Sequence, residues 1–257
     1  GSEMCIRDSL QGVTIVNLFF ENSTRTKISF ELAQKRLSAD TVNFSASSSS
    51  LKKGESFTDT AQNIEAMKID AVVMRHPTPG APKHLTNFID SVIINAGDGT
   101  HEHPTQAILD MMSLQEKFGK LKGLKVGIIG DIKHSRVALS NINGLKIMGA
   151  EVTLCGPPNL IPKNIEELGV NYSNDVDQVI EWADALNVLR IQRERMGRGL
   201  VPSTREYRSF FGITSERLKN HKKEIVIMHP GPMNRGVEID GEVADGDQAI
   251  ILDQVLN

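Results

Sequence analysis

The most constraining feature of the sequence is an alternation of short apolar, β-branched runs with amphipathic segments. The runs occupy residues 13–20, 41–44, 71–74, 92–94, 125–129, 151–154, 185–189 and 225–228. Between them, apolar residues fall at helical spacing, as at Ile28 and Leu32 or at Ile108 and Met112. This rhythm is typical of βαβ units, so it predicts parallel sheets covered by helices.

The runs form two groups, separated by a segment rich in Gly and Lys at 117–125. Because such a segment between strand groups indicates a boundary, we predict an α/β protein of two doubly wound domains. Each domain has a central parallel sheet, and the domains cover residues 10–118 and 119–257. Ligands of open parallel sheets bind beyond the carboxyl ends of the strands, so the active site is expected in the cleft between the domains.

Two short segments are treated separately from these domains. Residues 1–9 have neither helical nor strand periodicity, so they are left out of the fold prediction. Residues left from cloning are one explanation of this segment, and its source stays open. A tract of small polar residues at 45–50 runs into Lys52, Lys53 and Gly54. Since it lies inside the first group of strands, we predict a mobile functional loop rather than a linker.

The composition excludes several classes of protein. Lys and Arg number 29 against 32 Asp and Glu, so the balance does not favour a nucleic-acid-binding surface. No run approaches the roughly 18 apolar residues of a membrane helix, and no signal peptide is recognisable. Cys5 and Cys155 are the only cysteines, too few for a disulfide framework. We therefore expect a cytoplasmic globular protein.

Groups that bind anions follow several of the predicted strands. Ser23, Thr24, Arg25 and Thr26 directly precede an amphipathic segment, and the N–H groups at a helix N-terminus favour a phosphate there. A Ser or Thr cap with one solvated Arg is the alternative for this tetrapeptide alone. Further basic or hydroxyl-bearing groups follow other strands, at 75–77, 97–106, 131–136, 190–192 and 229–232. Together they predict a ligand with several negative charges.

Metal and nucleotide sites are weaker interpretations of the same loops. His101 and His103, with Asp98, could converge on a metal ion, but their spacing is not that of a diagnostic metal-binding motif. The stretch 126–131 lacks the glycine spacing of a dinucleotide site, and no Gly-Lys-Ser or Gly-Lys-Thr phosphate loop occurs. We therefore expect no cofactor and no metal.

The stretch FENSTRTKISF at 20–30 resembles the carbamoyl-phosphate signature of the aspartate and ornithine transcarbamoylase superfamily. It differs at Lys27, where that family usually has arginine. Further similar blocks lie at 49, 52–55, 74–77, 103–106, 130–136, 190–192 and 194–195. The stretch HPGPMNRGVEI at 229–239 is similar to the aspartate branch, since the ornithine enzymes have a cysteine in the corresponding motif. The resemblance runs from about residue 10 to residue 257.

The resemblance assigns roles to individual residues. The carbamoyl-phosphate site would contain Ser23, Thr24, Arg25, Thr26, Arg75, His103, Gln106, Pro230 and Gly231, with Ser49 and Lys53 from a neighbouring subunit. The aspartate site would contain Lys53, Arg136, Arg190 and Gln192. The catalytic group would be Arg25, Thr26, Arg75 and His103. Of these, Thr26, Arg75 and His103 would donate to the carbonyl oxygen of the carbamoyl group. The side chain of Gln106 and the backbone carbonyls of Pro230 and Gly231 would hold its amide, and no residue would act as a covalent nucleophile.

The resemblance also implies a reaction and an assembly. The expected reaction transfers the carbamoyl group of carbamoyl phosphate to the amine of L-aspartate, a step of de novo pyrimidine biosynthesis. The expected assembly is a homotrimer with shared active sites, and a regulatory chain or a dihydroorotase remains open as a partner. Arg136 and Arg190 agree with an acceptor that has two carboxylates, because guanidinium groups pair with carboxylates bidentately.

Two alternatives to this function remain. One is a related transcarbamoylase with another amino acceptor, and the other is a catalytically silent paralogue that serves as a scaffold. Family members have a helix before the first strand and a long final helix, so the chain is also expected to be truncated at both ends. Missing helix faces would expose apolar core, and such a chain is expected to be less stable.

Overall fold

The computed structural model describes residues 8–45, 57–191, 203–221 and 224–257. The chain divides into two compact units, Gly1–Thr105 and Gln106–Asn257. Two parallel sheets, one in each unit, confirm the predicted α/β class. The functional domain boundary at 118 and 119 stays a prediction.

The first unit is built on a four-stranded parallel sheet of order β2-β1-β3-β4. Its strands are β1 (Thr14–Phe19), β2 (Asp40–Ser45), β3 (Ala71–His76) and β4 (Val92–Asp98). Its helices are α1 (Thr24–Arg36), α2 (Phe57–Glu65) and α3 (Ala81–Leu85). Leu18, Met74 and Leu85 are fully buried and belong to one of its two apolar clusters.

The second unit contains a five-stranded parallel sheet of order β7-β6-β5-β8-β9. Its strands are β5 (Lys125–Ile129), β6 (Glu151–Cys155), β7 (Asn171–Ser173), β8 (Ala185–Val188) and β9 (Val226–Met228). The helices are α4 (Pro104–Phe118), α5 (Arg136–Ile147), α6 (Val176–Trp182), α7 (Thr204–Phe211), α8 (Ser215–Asn220), α9 (Gly241–Ala244) and α10 (Ile251–Leu256). Helix α4 begins two residues before this unit does. Short 3-10 helices lie at Pro158–Leu160 and Ile165–Leu168.

Gly127 shows how closely α6 packs on the second sheet. A Cβ atom at this position would lie 2.8 Å from Leu186 Cδ2 and 2.8 Å from Val179 Cγ1. These distances are shorter than ordinary carbon contacts, so a Cβ atom here would require the side chains of Leu186 and Val179 to shift. The glycine in this strand therefore has a packing role.

The structure departs from the sequence predictions in two places. Strand β7 was missed, because it is three residues long and none of its side chains is buried. Ile28 and Leu32, the apolar pair at helical spacing, are exposed at 50% and 46%, so this spacing does not mark the buried face of α1. The buried residue of α1 is Gln34, whose amide exchanges hydrogen bonds with Asn17 at 3.0 and 2.9 Å. This helix is thus attached by a polar pair in addition to Phe30, which packs against an apolar cluster.

No helix within the described ranges is long and apolar enough to cross a membrane.

The thiol of Cys155 is expected to be inert in the folded protein. It is completely buried, and that burial raises its pKa to about 12. Because the thiolate is the nucleophile, only about one thiol in ten thousand would be ionised at pH 8. In a Cys5→Ser variant, a thiol-reactive disulfide reagent at pH 8 should label no thiol natively and one thiol in guanidinium chloride. A Cys155→Ala variant measures Cys5 alone, and rapid native labelling of Cys155 would contradict its burial.

Candidate active site

The start of α1 has the geometry of an anion site. Ser23 is its N-cap, with extended backbone, and its side chain makes no capping hydrogen bond. Thr24, Arg25 and Thr26 form the first turn, where backbone N–H groups have no partner within a helix. Thr24 and Arg25 are exposed, while Ser23 and Thr26 are half-buried. The helix dipole and these N–H groups favour a negative charge here, and no acidic residue occupies the turn.

Arg75 is held at the end of β3 by a set of fixed hydrogen bonds. Its Nε donates to Glu21 Oε1 at 2.7 Å, and its Nη1 donates to Thr26 Oγ1 at 3.1 Å and to the carbonyl oxygen of Ala96 at 3.2 Å. The Arg75 side chain is 12% exposed. The guanidinium is therefore oriented from three sides beside the first turn of α1.

His103 lies on the other side of the same guanidinium. Its Nε2 is 3.4 Å from Arg75 Nη1, and its Nδ1 is 3.4 Å from Thr105 Oγ1. A guanidinium nitrogen can only donate, so Nε2 is the acceptor in this arrangement. Donation from His103 to a ligand oxygen requires the proton on Nε2 instead. His103 is buried, so its ring has little freedom to turn away.

The loop that presents His103 is organised by Asp98. This buried carboxylate accepts from the backbone N–H of Gly80 at 2.6 Å and from Asn95 Nδ2 at 2.9 Å, and His101 Nδ1 lies 3.0 Å away. Gly99 has a φ of +52°, and a Cβ atom there would lie 2.5 Å from Pro79 Cδ.

In the described residues, no group of three His, Cys, Asp or Glu side chains is arranged so that it could hold a metal ion.

His76, the last residue of β3, is a neutral partner in an aromatic cluster. Its ring centroid lies 5.1 Å from that of Phe20 and 5.4 Å from that of Phe57. The backbone N–H of Thr78 donates to Nδ1 at 3.0 Å, and burial lowers the pKa of His76. This histidine therefore supports the loop after β3.

Two arginines that were predicted to bind aspartate belong to the second unit. Arg136 is the first residue of α5 and is buried, and the preceding Ser135 caps the helix by accepting from Ala138 N at 3.3 Å. Arg190 follows β8 and is half-buried. The loop before α5 contains Asp131, whose pKa is raised by burial while nearby His134 opposes that shift.

The segment after β9 is fixed by buried polar contacts. His229 Nδ1 accepts from the backbone N–H of Gly231 at 2.8 Å, so its other nitrogen faces Glu238 Oε1 at 3.4 Å. Glu238 is completely buried and also accepts from the side-chain amide of Asn234 at 3.2 Å. That amide donates to the carbonyl oxygen of Ile191 at 3.1 Å. This segment is thereby tied to the residue that follows Arg190.

Gln106 lies in the first turn of α4 and is buried. Its amide nitrogen donates to Asp110 Oδ1 at 2.8 Å. The carboxamide oxygen is therefore the end of this side chain that remains to accept a hydrogen bond from a ligand.

The predicted site residues fall into three sets. In the first unit, the structure brings Arg75 together with Thr26 and His103, and it places Ser23, Thr24 and Arg25 at the start of the helix that contains Thr26. In the second unit it describes Gln106, Arg136, Arg190, Pro230 and Gly231. Ser49, Lys53 and Gln192 lie outside the described residues.

The sequence did not indicate three contacts that orient predicted site residues or their loops. Glu21 orients Arg75, Asp98 organises the loop that presents His103, and Asp110 orients Gln106. Glu21 lies within the quoted signature stretch, but no local spacing connects it to an arginine 54 residues later. The one local signal for this contact was the position of Glu21, an acidic residue beside a run of anion-binding groups.

Family comparisons match both units. The model described as the aspartate/ornithine carbamoyltransferase carbamoyl-P binding domain matches residues 3–116. The model described as the Asp/Orn binding domain of the same family matches residues 122–257. Together these two matches span most of the chain.

Curated relatives agree with the family models. The aspartate carbamoyltransferase catalytic subunit of Christiangramia forsetii is 62% identical over 249 residues, which are 97% of this chain and 80% of the relative. The protein of the same name from Gemmatimonas aurantiaca is 60% identical over 249 residues, covering 97% of this chain and 78% of the relative.

Solved structures have the same fold. Aspartate transcarbamoylase from Trypanosoma cruzi, in complex with N-(phosphonacetyl)-L-aspartic acid, superposes with a TM-score of 0.88 at 30% identity, covering 98% of this chain and 81% of that chain. Ornithine carbamoyltransferase from Pyrococcus furiosus superposes with a TM-score of 0.83 at 26% identity, covering 97% of this chain and 82% of that chain. From both domain models, these relatives and these structures, it follows that the chain belongs to the aspartate/ornithine carbamoyltransferase family.

Proposed function

We propose that the protein is an aspartate carbamoyltransferase, which converts carbamoyl phosphate and L-aspartate to N-carbamoyl-L-aspartate and phosphate. The observation that carries this proposal is the contact of Arg75 Nη1 with Thr26 Oγ1 at 3.1 Å and with His103 Nε2 at 3.4 Å. These three side chains can surround one oxygen atom. In this reaction that atom is the carbonyl oxygen of the carbamoyl group.

The chemistry requires such an arrangement. The aspartate amine attacks the carbamoyl carbon, so negative charge builds first on the carbonyl oxygen and then on the departing phosphate. Donors placed in advance at those atoms stabilise the transition state more than the ground state. Arg75 is held by Glu21, and the first turn of α1 offers N–H groups and hydroxyls to the phosphate. In this proposal the side chains act by hydrogen bonding and charge.

Binding of the acceptor is assigned to the second unit. Arg136 and Arg190, with Gln192, would hold the two carboxylates of L-aspartate, because guanidinium groups match carboxylates bidentately. The relatives support this choice of acceptor, since both are aspartate carbamoyltransferase catalytic subunits. A structure of the Trypanosoma cruzi enzyme contains carbamoyl phosphate and aspartate together. An ornithine site would instead need an acidic group for the side-chain amine.

The organisation of the active enzyme is part of the same proposal. Residues 10–118 would bind carbamoyl phosphate and residues 119–257 aspartate. Three copies would share their sites, with Ser49 and Lys53 contributed by a neighbouring subunit. We also propose a cytoplasmic location, which the proposed role in pyrimidine biosynthesis and the small number of cysteines support.

The direct test is formation of carbamoylaspartate by the purified protein. With isotopically labelled carbamoyl phosphate and L-aspartate, we expect equal amounts of carbamoylaspartate and phosphate. L-Ornithine and other amines are supplied in parallel reactions. Faster carbamoylation of another amine would identify a different transcarbamoylase. Binding of carbamoyl phosphate without turnover of any acceptor would instead favour the silent scaffold.

A further inference from the structure

A buried carboxylate in the second unit collects four amide donors. Asp110 is 1% exposed. Its Oδ1 accepts from Gln106 Nε2 at 2.8 Å and from Gln254 Nε2 at 2.7 Å, and its Oδ2 accepts from Asn141 Nδ2 at 2.7 Å and from Asn187 Nδ2 at 3.2 Å. The donors come from α4, α10, α5 and β8. One side chain thus links four elements of the unit.

The carboxylate also fixes the direction of each amide. Because a carboxylate only accepts hydrogen bonds, the NH2 group of each amide points toward Asp110 and its oxygen points away from Asp110. Within the described structure, the oxygens Asn141 Oδ1 and Asn187 Oδ1 are buried without a hydrogen-bond partner. A buried oxygen without a hydrogen bond is unfavourable. The hydrogen bonds from the NH2 groups to Asp110 therefore determine how the side-chain amides of Asn141 and Asn187 are oriented.

The side-chain oxygen of Gln254 contacts the segment after β9, which contains two further predicted site residues, Pro230 and Gly231. Gln254 Oε1 accepts from the backbone N–H of His229 at 2.9 Å. His229 directly precedes Pro230 and Gly231, whose carbonyl groups are predicted to hold the amide of the substrate. Asp110 is therefore one hydrogen bond from Gln106 and two from the backbone of the segment after β9.

We propose that Asp110 is a positioning residue for recognition of the amino group of carbamoyl phosphate. It turns the oxygen of Gln106 toward the ligand, and through Gln254 it holds the segment that contains Pro230 and Gly231. The side-chain oxygen of Gln106 and the carbonyl oxygens of Pro230 and Gly231 can then accept hydrogen bonds from the carbamoyl NH2 group. This inference rests on the proposed function for the identity of the ligand, and it adds the cause of selectivity for a carbamoyl group.

The test compares carbamoyl phosphate with acetyl phosphate, which has a methyl group in place of the NH2. Dissociation constants are measured by calorimetry for the wild-type protein and for Asp110→Ala. The wild type should bind carbamoyl phosphate more tightly. Asp110→Ala should weaken binding of carbamoyl phosphate about tenfold, the effect of one lost hydrogen bond, and leave acetyl phosphate nearly unchanged. Equal loss for both ligands, or unchanged selectivity, would overturn the proposal.

Two further variants separate positioning from general packing. Asn141→Ala is the matched control, because Asn141 is equally buried and bonds the same carboxylate but is not predicted to meet substrate. It should lower the melting temperature and keep the selectivity. Should Asp110→Ala not fold, Gln254→Ala is measured in the same way. It should lose selectivity for carbamoyl phosphate over acetyl phosphate, because it removes the hydrogen bond to the backbone of His229. Unchanged selectivity in that variant would also overturn the proposal.

A double-variant cycle shows whether Asp110 acts through Gln106. In a Gln106→Ala background, Asp110→Ala should cause a smaller further loss of selectivity than it causes alone. Full additivity would contradict the mechanism. These binding measurements do not depend on turnover of L-aspartate. A protein that selects carbamoyl phosphate but makes no carbamoylaspartate would refute the proposed function and leave the positioning role standing, whereas a wild type without selectivity would refute the positioning role.

Discussion

Replacing Arg75 with alanine is expected to lower kcat about 100- to 1,000-fold, which corresponds to roughly 3 to 4 kcal/mol of transition-state stabilisation. The Arg75 guanidinium is oriented by Glu21 and lies within hydrogen-bond distance of Thr26 and His103. A donor fixed before the reaction needs no reorganisation as charge develops on the carbonyl oxygen. Steady-state kinetics with saturating carbamoyl phosphate and L-aspartate measure the effect.

Two controls accompany that measurement. Arg36→Ala removes an exposed arginine from the last turn of α1, in the same unit, and should leave kcat unchanged. Thermal unfolding of Arg75→Ala is needed because the substitution leaves the Glu21 carboxylate without its guanidinium partner. A folded Arg75→Ala protein with near-normal kcat would remove Arg75 from the proposed chemistry.

The predictability of the fold differs between its elements. The strands in the middle of each sheet are visible in the sequence, because residues such as Ile128 and Met74 are buried and continue an apolar run. Strand β7 is an edge strand of three residues with no buried side chain, so its pattern resembles that of a loop. The attachment of α1 through Gln34 and Asn17 also escapes periodicity, since the two residues lie on different elements.

The candidate site shows the same division between local and long-range information. Local spacing placed Ser23, Thr24, Arg25 and Thr26 at a helix start, and the structure has α1 begin at Thr24. Contacts between distant residues could not be deduced from spacing. Glu21 and Arg75 are 54 positions apart, and Asp110 and Gln254 are 144 positions apart. Only the folded sheets bring such partners together, so the supporting carboxylates were missed.

Replacing Arg190 with alanine is expected to raise KM for L-aspartate roughly 30- to 160-fold, equivalent to about 2 to 3 kcal/mol. Arg190 follows β8, and its neighbour Ile191 is held through its carbonyl oxygen by Asn234 at 3.1 Å. Its guanidinium is half-buried, so part of its attraction for a carboxylate is screened by water and the lower end of the range is reasonable. Kinetics at varied L-aspartate, with carbamoyl phosphate saturating, measure the effect.

The pattern across ligands distinguishes a role in aspartate binding from a general loss of structure. Carbamoyl phosphate affinity should stay within about twofold of the wild type, because its predicted phosphate contacts lie in the first unit and, for Ser49 and Lys53, on a neighbouring subunit. Arg205→Ala is the matched control, since Arg205 is an exposed arginine of α7 in the same unit, and it should leave both constants unchanged. If Arg190→Ala weakens carbamoyl phosphate and L-aspartate equally, Arg190 supports the fold. If it weakens neither, the acceptor carboxylates bind elsewhere.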